Sequence, residues 1–238
     1  MNFESRSLNL LREFHAELSE GLNSLAGKTW EGHVDNFKGR SSLYMGHASQ
    51  GYIVLRSAGG KEESRFLIRP AIELMFKQRA IERRPDLIYR LGRTETLSDK
   101  AWIIALGKQA NEKNAFDETT FDAQLQRFKD TCVKQYPSGD FREAKLSIEE
   151  LAKVVDGGED YYNSHYRTYC KFTHATLRAI IGGLDDVMTD EDNLTMICCL
   201  LSAIETVISI GGNCPKVALL KSKRDELLKD RLNDCPPA

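Results

Sequence analysis

The sequence is poor in proline, with six in 238 residues, and it lacks the pattern of a β-strand. No segment of about four to eight residues alternates apolar and polar side chains with a clear excess of β-branched residues. This absence argues against a sheet protein. Long stretches of helix-forming residues remain, and we predict an all-α, multi-helix bundle.

The longest apolar run is short for a membrane span. The stretch "LTMICCLLSAIETVISI", residues 194–210, falls below the roughly 20 residues that a spanning helix needs, and it contains Glu205. The N-terminal "MNFESRSLNLLREF" carries acids where a signal peptide needs basic residues and then an apolar core. We therefore predict no membrane span, a cytoplasmic protein, and a buried core helix at 194–210.

The six cysteines include no Cys-x-x-Cys pair and no nearby histidine at metal-ligand spacing, which argues against a zinc site or a disulfide framework. We expect reduced thiols, no metal and no cofactor. The net charge of −2 and the pI near 6.2 give the molecule no overall attraction for nucleic acid. Binding of RNA would therefore require a local basic face.

Glycine doublets mark the helix boundaries, because glycine accepts the left-handed conformation found just past many helix ends. The doublets at 59–60, 182–183 and 211–212 are predicted helix stops, and the doublet at 157–158 marks the break before another helix. "SIEE" at 147–150 is a capping box, Thr189 with Asp192 is a weaker one, and Pro215 fits the first turn of the last helix. The resulting helices are 3–26, 41–58, 63–83, 97–110, 118–135, 147–155, 160–181, 190–210 and 215–232.

We interpret residues 1–238 as a single helical domain with a bundle core at 41–210. Polar stretches at 111–120 and 136–145 are predicted loops inside that domain. The segment "KTWEGHVDNFKGR", 28–40, is the best candidate for an extended connection, which would let residues 1–40 pack as an N-terminal arm.

The stretch "HYRTYCKFTHA", 165–175, carries the strongest functional signal. Seven positions of a helix turn through roughly 700°, so Arg167 and His174 share one face, and Lys171 and Arg178 extend that face. Seven residues also rise about 10.5 Å, which is long for one shared site. Two copies crossing antiparallel near Lys171 would instead place Arg167 of one chain beside His174 of the other, and this geometry predicts a homodimer.

These residue types suit RNA cleavage without a metal. A histidine can exchange a proton near neutral pH, and a guanidinium can hold phosphate oxygens and stabilise developing charge. The structural alternative is a solvated basic face beside a packed histidine. His165, two positions before Arg167, could line the rim of a cleft.

A second motif is Arg69-Pro70 with Glu73 one turn later, surrounded by apolar residues. The structural interpretation is a largely buried ion pair. The functional one is that Glu73 orients Arg167 or His174 from a neighbouring helix. Pro70 predicts a kink or a helix start.

The stretches "YYNSHYRTYCKFTHAT" (161–176) and "SRFLIRPAIELMFK" (64–77) resemble a family of uncharacterised bacterial helical proteins, and that family is similar to the HEPN superfamily. HEPN proteins are helical bundles, often dimeric, and many are metal-independent ribonucleases with an Arg-x(4–6)-His motif. The resemblance covers about 41–210, implies additional N- and C-terminal helices, and implies catalytic roles for Arg167 and His174. Supporting roles then fall to the nearby side chains Glu73, Arg69, Lys171, Tyr166 and His165.

Two functions follow from this interpretation. The first is a metal-independent endoribonuclease, as a toxin or defence effector. The second is a non-catalytic helical module that binds a protein partner or a nucleotide through the same residues.

Overall fold

The all-α prediction is confirmed over the residues described by this computed structural model, which are 2–109, 117–173 and 187–234 and contain no β-strand. A 3-10 turn at Pro85–Leu87 and a π-helical turn at Tyr162–Tyr166 connect longer elements. The helices are α1 (Phe3–Ser24), α2 (His33–Ser57), α3 (Lys61–Arg65), α4 (Ile68–Arg83), α5 (Ile88–Gln109), α6 (Glu118–Gln135), α7 (Ile148–Val154), α8 (Gly158–Tyr161), α9 (Arg167–Thr173), α10 (Val187–Ser209) and α11 (Val217–Asp234).

Helix α10 lies at the centre of the bundle and packs against α1, α2 and α4. Its stretch Glu191–Ser209 is long and apolar enough to cross a bilayer, with a mean hydropathy of 1.4, yet 72% of that stretch is buried inside the protein. Burial on several sides explains why this helix is apolar around most of its circumference. The prediction of a core helix over this apolar run agrees with that position.

Helix α1 is part of the core, which corrects the interpretation of residues 1–40 as an arm. Leu11, Phe14 and Leu18 are fully buried. They recur at the three- and four-residue spacing that places side chains on one helical face, and this face packs against α10, α2 and α11.

The extended connection predicted at 28–40 is shorter than expected, because α2 already begins at His33. The ring of Trp30 covers α2 at Gly39, where an added Cβ would lie 2.6 Å from Trp30 Cη2. The start of α2 was missed because its apolar periodicity is weak. Small residues let its neighbours approach the backbone closely.

The helix predicted at 63–83 is divided into α3 and α4 at Phe66 and Leu67. Pro70 explains the division, because it has no amide hydrogen to donate to the Phe66 carbonyl and its ring crowds that carbonyl. Pro70 lies in the first turn of α4, so the predicted helix start is confirmed.

Several predicted helix boundaries are also confirmed. Ser147 and Glu150 form the capping box of α7, with each side chain accepting a backbone N–H from the other residue. Gly59 and Gly211 have φ values of 86° and 83°, as expected at helix stops, and Gly157, with a φ of 66°, is the N-cap of α8, as expected for a break before another helix. Gly182-Gly183 lies outside the described residues.

The prediction of a weaker capping box formed by Thr189 and Asp192 is wrong. Helix α10 includes Val187 and Met188, so Thr189 is not its N-cap, and the Asp192 side chain is fully buried.

Candidate functional site

The predicted catalytic pair is only half described. Arg167 begins α9, directly after the π-helical turn, whereas His174 lies outside the described residues. The backbone of Lys171 belongs to α9, but its side chain is outside the described part, and Arg178 lies outside it altogether. The predicted alignment of Arg167 with His174 therefore stays a prediction.

Arg167 is exposed, and its guanidinium forms no hydrogen bond or ion pair with any residue that the structure describes. It borders a polar surface pocket of about 190 Å³ that also contains Tyr162 and Asn163. Two exposed carboxylates, Glu149 and Glu159, line the same pocket. The local surface is consequently mixed in charge on this side of α9.

Arg69, Glu73 and Tyr166 meet at one point. Glu73 Oε1 accepts hydrogen bonds from Arg69 Nε at 3.1 Å and from the Tyr166 hydroxyl at 2.8 Å. The Arg69 guanidinium also lies over the Tyr166 ring, 5.9 Å from its centroid. Burial, and then the hydrogen bond to Glu73, raise the pKa of Tyr166 above its usual range, so this hydroxyl stays protonated and donates.

The Arg69–Glu73 pair is more open than the sequence suggested. Their side chains are 25% and 27% exposed, respectively, rather than largely buried. Glu73 bonds Arg69 and Tyr166, while Arg167 borders a different pocket. The described contacts therefore connect Glu73 to α9 through Tyr166, and the expected orientation of Arg167 by Glu73 is not among them.

Arg69, Glu73 and Tyr166 line a cleft of about 530 Å³. Helix α4 forms one wall with residues at four-residue spacing, and helix α5 forms the other. The segment 145–148 and the start of α7 close the bottom. The volume is in the range of small-molecule sites.

His165 lies beside this region without entering the cleft. Its ring stacks on Tyr161 with centroids 4.3 Å apart, and Nδ1 lies 2.7 Å from Ser164 Oγ. Burial lowers the pKa of His165, and the charge of Glu191 opposes that shift. The imidazole is therefore neutral at pH 7, which fits a packed ring as well as a proton acceptor.

A buried charge cluster that the sequence interpretation missed lies on the inner side of α9. Asp192, with no exposed surface, accepts hydrogen bonds from Arg65 Nε at 2.8 Å and from the Tyr169 hydroxyl at 2.7 Å. Arg56 Nη1 lies 3.9 Å from the same carboxylate. Burial raises the pKa of Asp192, and the contacts with Arg65 and Tyr169 oppose the shift.

The cluster continues into the neighbouring helices. The Tyr52 hydroxyl donates to Asn193 Oδ1 at 2.8 Å, and Asn193 Nδ2 donates to Ser7 Oγ at 2.8 Å. Glu4 accepts a hydrogen bond from Arg56 at 3.3 Å. Hydrogen bonds to buried polar groups avoid a desolvation penalty, so this network stabilises one arrangement of α1, α2, α3, α9 and α10.

Tyr166 and Tyr169 hold the helix on both sides of Arg167. One hydroxyl donates to Glu73 on α4 and the other to Asp192 on α10. With both tyrosines directed into the protein, the face that carries Arg167 is turned to solvent. The geometry thus presents a guanidinium on a well-anchored element.

Within the described residues, no group of three or more His, Cys, Asp or Glu side chains is placed to bind a metal ion. The five described cysteines, at 132, 170, 198, 199 and 214, are free thiols. Burial raises the pKa of Cys132 and of Cys214 to about 11, which disfavours the reactive thiolate.

Comparisons with known proteins place the chain in a family. No curated protein and no solved structure matches it. The sequence pattern of a family of unknown function (DUF5677) matches residues 45–193, a segment that includes the Arg69–Glu73–Tyr166 site, Arg167 and Asp192. This match spans more than half of the chain, and the protein therefore belongs to that family of unknown function.

Proposed function

We propose that the protein is a metal-independent endoribonuclease of the HEPN type that acts as a homodimer, as a toxin or defence effector. The observation that carries the proposal is the exposed Arg167, whose guanidinium has no hydrogen-bonding partner among the described residues and stands on a helix fixed by Tyr166 and Tyr169. A guanidinium held in this way can bind phosphate oxygens through two N–H groups.

In the proposed reaction, Arg167 of one chain and His174 of the other meet at one RNA phosphate. The imidazole takes the proton of the 2′-hydroxyl, and the 2′-oxygen then attacks the adjacent phosphorus. The P–O5′ bond breaks, and the 5′-oxygen receives a proton from the imidazolium. The products are a 2′,3′-cyclic phosphate and a 5′-hydroxyl. Arg167 stabilises the charge that develops on the phosphate oxygens.

The first test incubates RNA with purified protein in excess EDTA and compares wild type with Arg167→Ala and His174→Ala. We expect cleavage with 2′,3′-cyclic phosphate ends for wild type and a loss of about 100-fold or more for each variant. Arg40→Ala, which removes another exposed arginine, is the matched control and should cleave like wild type. Cleavage that persists in both site variants would contradict the assignment.

A mixing experiment tests the shared site. If Arg167 and His174 act across a two-fold, a mixed dimer of the two inactive variants contains one intact site. Random exchange makes half of the dimers mixed, each with one of two sites, so activity should return to about a quarter of wild type. If both residues act within one chain, mixing restores nothing.

A non-catalytic module that binds a protein partner or a nucleotide is the second candidate. It is favoured by the contacts of Arg69, Glu73 and Tyr166, which satisfy one another and do not reach Arg167. For this function we expect no cleavage of any RNA and no growth toxicity on overexpression.

A further inference from the structure

The cleft between α4 and α5 has features that the nuclease proposal does not use. Its lining includes three cationic and three acidic side chains, so it presents both signs of charge in equal number. Such a lining disfavours a polyphosphate or an RNA strand, which would face three carboxylates. It suits a ligand that carries both charges itself.

Four of these six charges are paired within the protein. Arg69 bonds Glu73 at 3.1 Å, and Lys77 bonds Glu95 at 2.7 Å across the cleft. The remaining charges are Lys145 and Asp99, both exposed and neither in an ion pair with a described residue. A ligand can therefore meet one cation and one carboxylate without breaking an existing pair.

The backbone positions of Lys145 and Asp99 define the ligand length that we propose. The backbone N–H of Leu146 donates to Thr94 Oγ1 at 3.1 Å, which places Lys145 next to position 94 of α5. Asp99 lies five residues farther along the same helix, a rise of about 7.5 Å. An extended chain of two residues spans about 7 Å.

The apolar part of the cleft lining determines which side chains the ligand should carry. Leu91, Leu146 and Leu151, which are 2%, 6% and 1% exposed, and the half-buried Ile148 form this apolar part. Aliphatic side chains of a ligand would cover the apolar surface that Ile148 still exposes.

We propose that this cleft binds a short free peptide, about two residues long and aliphatic. Its carboxylate pairs with Lys145, its ammonium group pairs with Asp99, and its side chains contact the apolar lining at Ile148. The inference does not depend on Arg167 or His174, and it stands whether or not the protein cleaves RNA.

The test is calorimetric titration of the full chain with the dipeptide Leu-Leu, followed also by fluorescence of Trp102, which is 65% exposed and one turn beyond Asp99. Acetyl-Leu-Leu lacks the ammonium charge, and Leu-Leu-amide lacks the carboxylate. We expect each analogue to bind at least about tenfold more weakly than Leu-Leu.

Two variants test which residue binds each charged end of the peptide. Asp99→Asn should weaken Leu-Leu about tenfold and leave acetyl-Leu-Leu unchanged, whereas Lys145→Met should weaken Leu-Leu and leave Leu-Leu-amide unchanged. Asp160→Asn and Lys134→Met, at exposed positions outside the cleft, are the matched controls.

Absence of Leu-Leu binding to wild type, or equal binding of all three peptides, would overturn the proposal. Arg167→Ala separates it from the nuclease proposal, because this variant should lose RNA cleavage and keep Leu-Leu binding.

Discussion

The carboxylate of Asp192 faces two buried arginines and a buried tyrosine hydroxyl. Replacing Asp192 with alanine would leave Arg56 and Arg65, 1% and 3% exposed, without their shared counterion. We expect Asp192→Ala to lower the free energy of unfolding by about 3–5 kcal/mol, because the Arg65 charge then stays buried without this carboxylate, while Arg56 keeps its bond to Glu4. Urea denaturation at pH 7 measures the loss.

The control for this variant is Asp225→Ala, since Asp225 is 54% exposed and forms a surface ion pair with the adjacent Arg224. It should change the free energy of unfolding by less than about 0.5 kcal/mol. A loss below about 1 kcal/mol in Asp192→Ala would show that the cluster is not the structural centre inferred above.

The ion pairs Arg69–Glu73 and Arg65–Asp192 show which contacts of single residues can be predicted from the sequence. Arg69 and Glu73 are one helical turn apart, so their contact follows from periodicity. Arg65 and Asp192 are 127 positions apart, and only the folded chain brings them together. Asp192 was interpreted as a capping residue because its local sequence fits that role as well.

The close approach of helix α1 to the core depends on Gly21. A Cβ added there would lie 2.4 Å from Cys214 Sγ and 2.9 Å from Val207 Cγ1. Gly21→Ala should therefore lower the free energy of unfolding by about 1–3 kcal/mol through overpacking. Thermal denaturation measures the change.

Gly46 in α2 is the matched control for Gly21, because its added Cβ would lie at the ordinary contact distances of 3.7 Å from Leu22 and 3.9 Å from Leu18. Alanine also has the better helix propensity, so Gly46→Ala should raise stability by about 0.5–1 kcal/mol. The same loss in both variants would contradict the packing argument.

The segment 136–147 between α6 and α7 is held by Arg90, which is 2% exposed and bonds Asp140 and Glu150 at 3.0 and 3.1 Å. Hydrogen bonds from Arg142, and then the charge of Arg90, keep the pKa of Asp140 well below its usual 3.8. The stabilising effect of its charge is thus fully present above about pH 5 and is lost as pH falls through 3.8 toward the folded-state pKa.

The expected result is that Asp140→Asn is less stable than wild type at pH 7 and that the difference shrinks between about pH 4 and pH 2. Denaturant unfolding across this pH range gives the difference directly. Asp160→Asn, on the exposed surface, serves as the reference. A difference that stays constant down to pH 2 would mean that Asp140 does not titrate with a depressed pKa.

Element boundaries were predictable where one residue determines them. Pro70, Ser147 and Gly157 each impose a local backbone constraint that can be recognised in the sequence. The start of α2 at His33 was not predictable in this way, because it depends on Trp30 packing over Gly39. The start of α5 at Ile88 was not predictable either. It follows the 3-10 turn at Pro85–Leu87, which packs against both α4 and α5.

At the scale of the whole molecule, α1 and α10 pack against each other in the core, although they are far apart in the sequence. The buried face of α1 includes Leu11, Phe14 and Leu18, and each contributes roughly 1.5–3 kcal/mol by burial. A typical domain has a total stability of only about 5–15 kcal/mol. We therefore expect a chain lacking residues 1–26 to lose its cooperative thermal transition and to aggregate.

Circular dichroism and size-exclusion chromatography test this expectation. A full-length chain with Glu13→Gln and Glu20→Gln on the exposed side of α1 is the control, and it should fold normally. A well-folded truncated protein would restore the interpretation of residues 1–40 as a separate arm.

The π-helical turn at Tyr162–Tyr166 affects the direction in which the side chains of α9 point. Such a turn holds an extra residue compared with ordinary α-helix, in which each residue rotates the chain by about 100°. Deleting one residue from the π-helical turn would convert it to an ordinary α-helical turn and leave Tyr169 close to its present direction. Deleting Thr168 instead would rotate Tyr169 by about 100° away from the Asp192 carboxylate. The extra residue therefore makes this turn the place where the chain tolerates a deletion best.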